Sequence, residues 1–260
     1  MLQIRIGIEL ASLQLPFKKA LLTAAQMGAS AVEIDARQEL KPEEISESGV
    51  RHVRKMLEDF NLRVSAVRFR TRFGYQTADQ LDRRIDGTKQ ALKLAYGLGS
   101  SVVINHVGRI PAEEETGIWQ MMCEALTDIG KYGQRVGAML TAETGTDSAD
   151  DLARLFEALP IGTLGLDFHP AQLVLHSQSS DQLLAKLGKH VLHVHVADAT
   201  RDVALRRGFE VPLGRGSVDW PQLLGGLEEH NYNGWLTLQR RDTQQPTAEL
   251  LDAMNYLKSL

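Results

Sequence analysis

Short apolar segments alternate with longer amphipathic segments along the whole chain. Eight segments have the length and apolar content of buried strands. They are Ile4–Leu10, Ala31–Asp35, Arg63–Phe69, Ser101–Val107, Ala138–Glu143, Thr163–His169, Val191–Val196 and Gly234–Gln239. The segments between them carry apolar residues at helical spacing, as in Phe17–Met27, Glu43–Phe60, Ala78–Leu98, Gly117–Val136 and Ser148–Leu159. Strands that alternate with helices in this way are typical of a parallel sheet.

Eight strand and helix pairs predict an α/β fold with one closed (β/α)8 TIM barrel of parallel strands. A length of 260 residues is ordinary for such a barrel. No low-complexity tract or Pro/Ser-rich linker interrupts the alternation, so residues 1–260 are predicted to form one domain. Two polar spans, Arg70–Gln76 and Ala199–Val211, are too long for plain connections, and we expect them to be loops beside the pocket.

The composition of the chain argues against nucleic acids and membranes as binding partners. The formal net charge of -4 provides no basic field that would attract nucleic acid. Met1–Leu10 lacks the apolar core of a signal peptide, and no stretch reaches the ~20 apolar residues of a membrane span. We therefore expect a cytoplasmic protein without a nucleic acid or membrane partner. Cys123 is the only cysteine, so an internal disulfide is excluded and core packing is its expected role.

Four of the predicted strands end in a side chain that can bind a metal or carry a proton. These residues are Glu143, His169, His195 and Gln239. The carboxyl ends of parallel barrel strands converge on one face, where the active sites of such barrels lie. The four side chains are therefore expected to surround a single pocket, although glutamine is the weakest of them as a ligand or base.

Longer motifs surround these residues. They are Glu143–Gly145, Phe168–Gln172, His195–Asp198, Leu213–Trp220 and Tyr232–Gln239. In this order they resemble the sugar phosphate isomerase/epimerase superfamily, which has the xylose isomerase-like TIM barrel. The resemblance extends over essentially the whole chain and is clearest from Ala138 onward.

This resemblance implies one divalent ion, often manganese, held by two glutamates, an aspartate and a histidine. Carried over by position, the ligands are Glu143, His169, His195 and Gln239. His169 stands where the family has aspartate, and Gln239 stands where it has the final glutamate. The ligand charge falls from three negative to one, which favours zinc, cobalt, nickel or iron over a hard ion, or leaves the site altered or empty. Asp167 lies on the same side of its strand as His169 and could supply the missing carboxylate one pleat deeper.

The same resemblance implies that two glutamates shuttle a proton through an enediolate. Glutamine cannot carry that proton near neutral pH, so Gln239 disables a two-base epimerisation unless His169, Asp242 or Glu33 replaces it. One-base chemistry through Glu143 survives. It includes an aldose–ketose shift, a dehydration and an enolisation.

Several residues are predicted to contact the substrate. Arg68, Arg70 and Arg72 alternate at the end of the third strand, and guanidinium groups suit the carboxylate of a sugar acid or a phosphate. A solvated loop that pairs with neighbouring acids is the alternative. His106 reaches the barrel mouth, and His193 is expected to form hydrogen bonds inside the barrel. The predicted substrate contacts are Arg68, Arg70, His106, Arg206 and Arg207.

The leading hypothesis is an isomerase, an epimerase or a related lyase that uses a metal-assisted proton transfer on a small sugar, sugar acid or polyol. A non-catalytic sugar-binding or sensor protein on a degenerated barrel is the alternative. An apurinic endonuclease-like hydrolase is a remote third hypothesis, because the acidic chain is electrostatically unsuited to DNA. An apolar helix face around Trp119 and Met121 would suit a homodimer.

Overall fold

Eight parallel strands close into a barrel. The structure is a computed structural model that describes residues 3–202 and 207–260. The barrel strands are β1 (Ile6–Glu9), β2 (Ala31–Asp35), β3 (Arg63–Arg68), β4 (Val102–Asn105), β5 (Met139–Glu143), β6 (Gly165–Phe168), β7 (Val191–Val196) and, after a hairpin of two strands, β10 (Leu236–Leu238). Their order around the barrel is β1, β10, β7, β6, β5, β4, β3, β2. The predicted (β/α)8 barrel is confirmed, and every predicted strand contains an observed one.

Helices cover the outside of the barrel. In the described ranges they are α1 (Phe17–Gln26), α2 (Glu47–Asp59), α3 (Leu81–Gly97), α4 (Thr116–Val136), α5 (Ala149–Ala158), α6 (Pro170–Leu175), α7 (Ser180–Leu187), α8 (Trp220–Glu229) and α9 (Pro246–Ser259). None of these helices combines the length and the apolar character needed to cross a membrane.

Helix α2 begins later than its apolar pattern predicts, and a capping side chain explains the difference. The Ser46 hydroxyl accepts a hydrogen bond from the backbone N–H of Gly49 at 3.1 Å. A serine in this role satisfies a donor that has no partner within the helix, so the helix starts after it. Ser148 does the same for α5 through the N–H of Asp151, at 3.1 Å.

The two faces of the barrel strands have different chemistry. Apolar side chains such as Ile8, Ile34 and Leu166 are fully buried in the main hydrophobic core. The buried polar residues include Glu9, Glu33, Arg68, Thr141, Asp167, His193, His195 and Thr237. Because successive strand residues point to opposite faces, the apolar set packs against the helices and the polar set lies inside the barrel.

Two register shifts lie beside this polar interior. One interrupts the pairing of β2 with β3 between Val32 and Glu33, and the other interrupts the pairing of β6 with β7 between Leu166 and Asp167. A shift of this kind redirects the side chain that follows it, and such shifts are common near active sites. After the second shift, Asp167 is level with His193 on the neighbouring strand.

The prediction that Ala199–Val211 is a loop is wrong for the described part of that span. β8 (Asp198–Asp202) and β9 (Arg207–Val211) form an antiparallel hairpin. The Asp198 carboxylate holds the chain that follows the hairpin, because it accepts the backbone N–H groups of Gly214, Gly216 and Val218 at 2.9–3.1 Å. The other predicted loop, Arg70–Gln76, has no helix or strand.

Candidate active site

The barrel strands end in a buried cluster of charged side chains. Its members are Glu9 at the end of β1, Glu33 on β2, Arg68 at the end of β3, Glu143 at the end of β5, Asp167 on β6, and His193 and His195 on β7. The four predicted strand-end residues all lie at this mouth. His169 stacks on His195 with ring centroids 4.8 Å apart, and His169 is hydrogen-bonded to Gln239. Arg68 joins this group to Glu143.

Arg68 is the centre of the cluster. Its guanidinium lies 2.6 Å from Glu143 Oε1, 3.3 Å from Glu9 Oε1 and 3.6 Å from Glu33 Oε1, and the residue is 1% exposed. Burial alone would lower the pKa of Arg68, but the charges of the surrounding carboxylates outweigh it and raise this pKa. Arg68 therefore belongs to an ion network and is not among the described residues that line the cleft, so its contact with a substrate stays a prediction.

His195 is held between two carboxylates. Its Nδ1 lies 2.9 Å from Asp167 Oδ2, and its Nε2 lies 2.8 Å from Glu33 Oε2. Burial favours the neutral ring, but Asp167 and Glu33 outweigh burial and raise the pKa of His195 to about 10. Both ring nitrogens therefore carry protons, and the imidazolium has no free lone pair.

His193 lies one pleat deeper and forms the interior hydrogen bonds expected of it. Its Nδ1 donates to Asp167 at 2.7 Å, and its Nε2 lies 2.7 Å from the Thr237 hydroxyl. Asp167 thus contacts both histidines of β7. Burial would raise the pKa of Asp167, but the two histidines outweigh it and hold this pKa below the ordinary value.

The amide of Gln239 sets the tautomer of His169. Gln239 Nε2 donates to Glu9 at 3.2 Å, so its Oε1 faces His169 Nε2 at 2.9 Å and accepts from it. Nε2 of His169 consequently carries the proton and Nδ1 carries the lone pair. This Nδ1 is buried and has no hydrogen-bond partner among the described residues. Burial and the nearby His195 charge lower the pKa of His169 to about 4, which keeps its ring neutral.

The two oxygens of Glu143 differ. Oε1 accepts from Arg68, whereas Oε2 has no hydrogen-bond partner in the described structure and lies 3.6 Å from Arg70 Nη2. Burial raises the pKa of Glu143, but the Arg68 charge outweighs burial and holds it below the ordinary value. Glu143 is therefore a carboxylate at neutral pH with one fixed oxygen and one uncommitted oxygen.

A cleft of about 260 Å³ opens beside Glu143. Its lining includes two predicted substrate contacts, Arg70 and His106, and the His106 ring is 2.7 Å from the backbone carbonyl of Thr71. Arg207 is exposed and is not among the described residues that line the cleft. Arg206 lies outside the described residues.

The sequence did not point to several members of the site. Gln172 and His176 line the cleft from α6 and its C-terminal end. They are four positions apart, so they lie on one side of a helical turn. The helix is too short to give a clear helical pattern in the sequence, and this spacing was therefore not a usable signal. Glu9 and Arg241 form an ion pair at the mouth, and no motif in the sequence indicates this pairing.

Several donor atoms of the four predicted metal ligands are engaged by neighbouring side chains in this arrangement. Arg68 Nη2 lies 2.6 Å from Glu143 Oε1, where an ion at the ~2.0–2.6 Å typical of magnesium or calcium would have to sit. The Gln239 oxygen accepts from His169 Nε2, so of these two residues only His169, through Nδ1, has an unpaired donor atom. His195 has each ring nitrogen within 2.9 Å of a carboxylate oxygen, an arrangement that favours a proton on both nitrogens over a bond to a metal ion.

A second group of ligand types lies slightly deeper. One ligand atom each from Glu33, His193 and His195 lies within 4.8 Å of the others. Of the four predicted ligands, only His195 belongs to this group. Arg68 Nη1 is 3.6 Å from Glu33 Oε1 and 3.5 Å from His195 Nε2, so a cation already adjoins this triad.

Comparisons with known proteins agree with this architecture. An inosose dehydratase from Clostridium beijerinckii is 25% identical over 56% of this chain and 55% of its own length, so the chain spans about half of that relative. A xylose isomerase domain protein from Planctomyces limnophilus has a TM-score of 0.84 at 22% identity, covering 92% of this chain and 91% of its own. D-psicose 3-epimerase from Clostridium cellulolyticum H10 has a TM-score of 0.80 at 13% identity, covering 98% and 99%.

The two solved structures show the fold alone, since both are below 25% identity. The dehydratase and the epimerase are sugar-modifying enzymes. The family model for the xylose isomerase-like TIM barrel matches residues 21–260. With a match over that much of its length, the chain belongs to the xylose isomerase-like TIM barrel family.

Proposed function

We propose that this protein is an enzyme that dehydrates a small polyhydroxylated ketone or related sugar, with Glu143 as the base. The observation that carries the proposal is the asymmetry of the Glu143 carboxylate. One oxygen is held by Arg68, and the other lacks a hydrogen bond beside the cleft. A positioned carboxylate with a free oxygen is what proton abstraction from a carbon beside a carbonyl group requires.

A single base is sufficient for dehydration. Glu143 takes the proton from the carbon, the hydroxyl on the next carbon leaves with that proton as water, and a carbon–carbon double bond forms. A two-base epimerisation needs a second group opposite the first, and the residue that the resemblance puts there is Gln239, whose amide cannot accept the proton. The relatives that are inosose dehydratases support the same reaction class.

The cleft suits a small carbohydrate. It is below the ~300–1,000 Å³ of pockets that bind drug-sized ligands, and polar side chains such as Arg70, His106 and Gln172 line it. These groups can pair with several hydroxyls and with a carbonyl oxygen. In the proposed complex, a substrate hydroxyl donates to the unpartnered Nδ1 of His169. The proposed reaction uses Glu143 alone as its base, and the guanidinium of Arg68 takes the position beside Glu143 Oε1.

The test is a screen of inososes, ketohexoses, aldoses and sugar acids in deuterated water, followed by NMR. We expect one substrate class to lose water, and the rate to fall ~10²–10⁴-fold in Glu143→Gln. Glu157→Gln, an exposed glutamate on α5, is the matched control and should retain full activity. Unchanged turnover in Glu143→Gln would reject Glu143 as the base.

The same screen separates the alternatives. Deuterium uptake with interconversion of an aldose and a ketose, without loss of water, would identify a one-base isomerase. Tight binding of a panel sugar without any turnover would identify a sugar-binding protein. Both results contradict the proposed dehydration.

A further inference from the structure

We propose that the guanidinium of Arg68 is a built-in cation that takes the place of a divalent ion at this barrel mouth, so that the site is assembled without a metal. Three carboxylates from three different strands converge on this one side chain. They are those of Glu9, Glu33 and Glu143, at 2.6–3.6 Å. A shared position among several strand-end carboxylates is where a divalent ion would be expected to bind.

The guanidinium and an ion exclude each other here. A ligand oxygen lies ~2.0–2.6 Å from a magnesium or calcium ion, and Arg68 Nη2 is already 2.6 Å from Glu143 Oε1. Arg68 is 1% exposed, and Glu9 and Glu33 are 2% and 1% exposed, so the guanidinium and these carboxylates share the barrel interior. An ion could occupy the position among these three carboxylates only if Arg68 left them, at a large electrostatic cost.

The replacement of a divalent ion by a guanidinium also explains why His169 and Gln239, at two predicted ligand positions, are neutral. A guanidinium carries one positive charge, whereas a divalent ion carries two, so the site must also lose negative charge to remain balanced. His169 and Gln239 are neutral where the family has carboxylates, and they satisfy each other through one hydrogen bond of 2.9 Å. Arg68, His169 and Gln239 thus form one coordinated change of the site.

Further cations complete the neutralisation. Arg241 donates to both oxygens of Glu9, with Nε 3.1 Å from Oε2, and Arg70 Nη2 lies 3.6 Å from Glu143 Oε2. The two carboxylates that reach the mouth from β1 and β5 therefore each face two arginines. Because a guanidinium has donors in a fixed plane, Arg68 also orients Glu143, which makes it a positioning residue.

The experiment measures metal binding by the full chain and needs no substrate. Metal-stripped wild-type protein is titrated with Mn²⁺ and with Zn²⁺ in a calorimeter, and Tm is recorded with and without each ion. We expect no binding and no change in Tm. Arg72→Met, at an exposed arginine of the same segment, is the matched control and should behave as wild type.

Two variants test whether a divalent ion can bind once the Arg68 guanidinium is removed. Gln239→Glu alone should still bind no ion, because Arg68 remains in place. Arg68→Met combined with Gln239→Glu should bind Mn²⁺, with Tm raised by about 5–10 °C at 100-fold excess over Kd. Micromolar binding by the wild type that is lost in Glu143→Gln would overturn the proposal.

Two other results would also overturn it. One is Mn²⁺ binding by Gln239→Glu alone, a variant that keeps the buried arginine and serves as the test if the double variant does not fold. The other is a folded double variant that binds no ion. Metal binding and Tm do not depend on turnover. Failure of this proposal can therefore be distinguished from failure of the proposed dehydration.

Discussion

The two sides of the barrel mouth differ in how completely their polar groups are paired. On the side of β6 and β7, Asp167, His193 and His195 form close contacts through nearly every polar atom. Near the ends of β5 and β6, Glu143 Oε2, beside the cleft, and His169 Nδ1 are buried without a hydrogen-bond partner among the described residues. Leaving such a group unpaired costs free energy, so Glu143 Oε2, which has the cleft beside it, marks where a ligand is expected to complete the site.

This contrast assigns different tasks to the two sides. The paired side sets charge and orientation, and the unpaired side meets the substrate. A change on the paired side should therefore reduce stability first, whereas a change on the cleft side should reduce activity and leave stability nearly intact.

The largest effect is expected at Asp167. Asp167→Asn leaves the His195 imidazolium with one carboxylate fewer in a buried setting, and it should lower the free energy of unfolding by ~3–5 kcal/mol in urea denaturation. The control is Asp150→Asn, which removes an ion pair with Lys186 at the surface and should cost at most ~1 kcal/mol. Equal losses in the two variants would contradict the assignment of a structural role to the buried pair.

A change of pH is expected to alter the free energy of unfolding by less than the Asp167→Asn substitution does. The pKa of His195 is about 10, above the ordinary 6.5, so its stabilising contribution is full below pH 6.5 and is lost as pH rises toward 10. The pKa of His169 is about 4, below 6.5, so its contribution is full above pH 6.5 and is lost as pH falls toward 4. Urea unfolding across this range should show the free energy of unfolding decreasing in both directions from near pH 6.5.

Nitrogen NMR of the imidazole rings measures the protonation states of His195 and His169 individually. Near pH 8, His195 should show two protonated nitrogens, and His169 should show a protonated Nε2 with an unprotonated Nδ1. Assignments would come from His195→Gln and His169→Gln. A neutral His195 ring at that pH would contradict the charged pair with Glu33 and Asp167.

The smallest effect on stability is expected at Arg70, which is half exposed at the edge of the cleft. Arg70→Met should change the free energy of unfolding by less than ~0.5 kcal/mol. Once a substrate is known, KM should rise about tenfold, with kcat changing less, because a contact made equally in the ground and transition states affects binding alone. A large fall in kcat with an unchanged KM would instead make Arg70 a partner of Glu143 in proton transfer.

The sequence was sufficient for the barrel and for the face that carries the site. Periodicity of apolar residues is a local property, so each strand from Ile6–Glu9 to Leu236–Leu238 could be predicted within a few residues. The strand-end rule then placed Glu143, His169, His195 and Gln239 at one mouth, where the structure has them. The hairpin of Asp198–Asp202 and Arg207–Val211 escaped prediction because its polar residues have the composition of a loop.

Only the tertiary structure decided how the charged residues pair. In the sequence, Arg68 is one of three arginines at alternate positions, and any of the three could be solvated or could bind an anion. Its role follows from three carboxylates that are 59, 35 and 75 positions away along the chain and within 3.6 Å in space. The sequence by itself determined which residues reach the barrel mouth, because that depends on local periodicity. The closed barrel decided which of them neutralise one another, because electrostatic energy depends on distance through space and on burial.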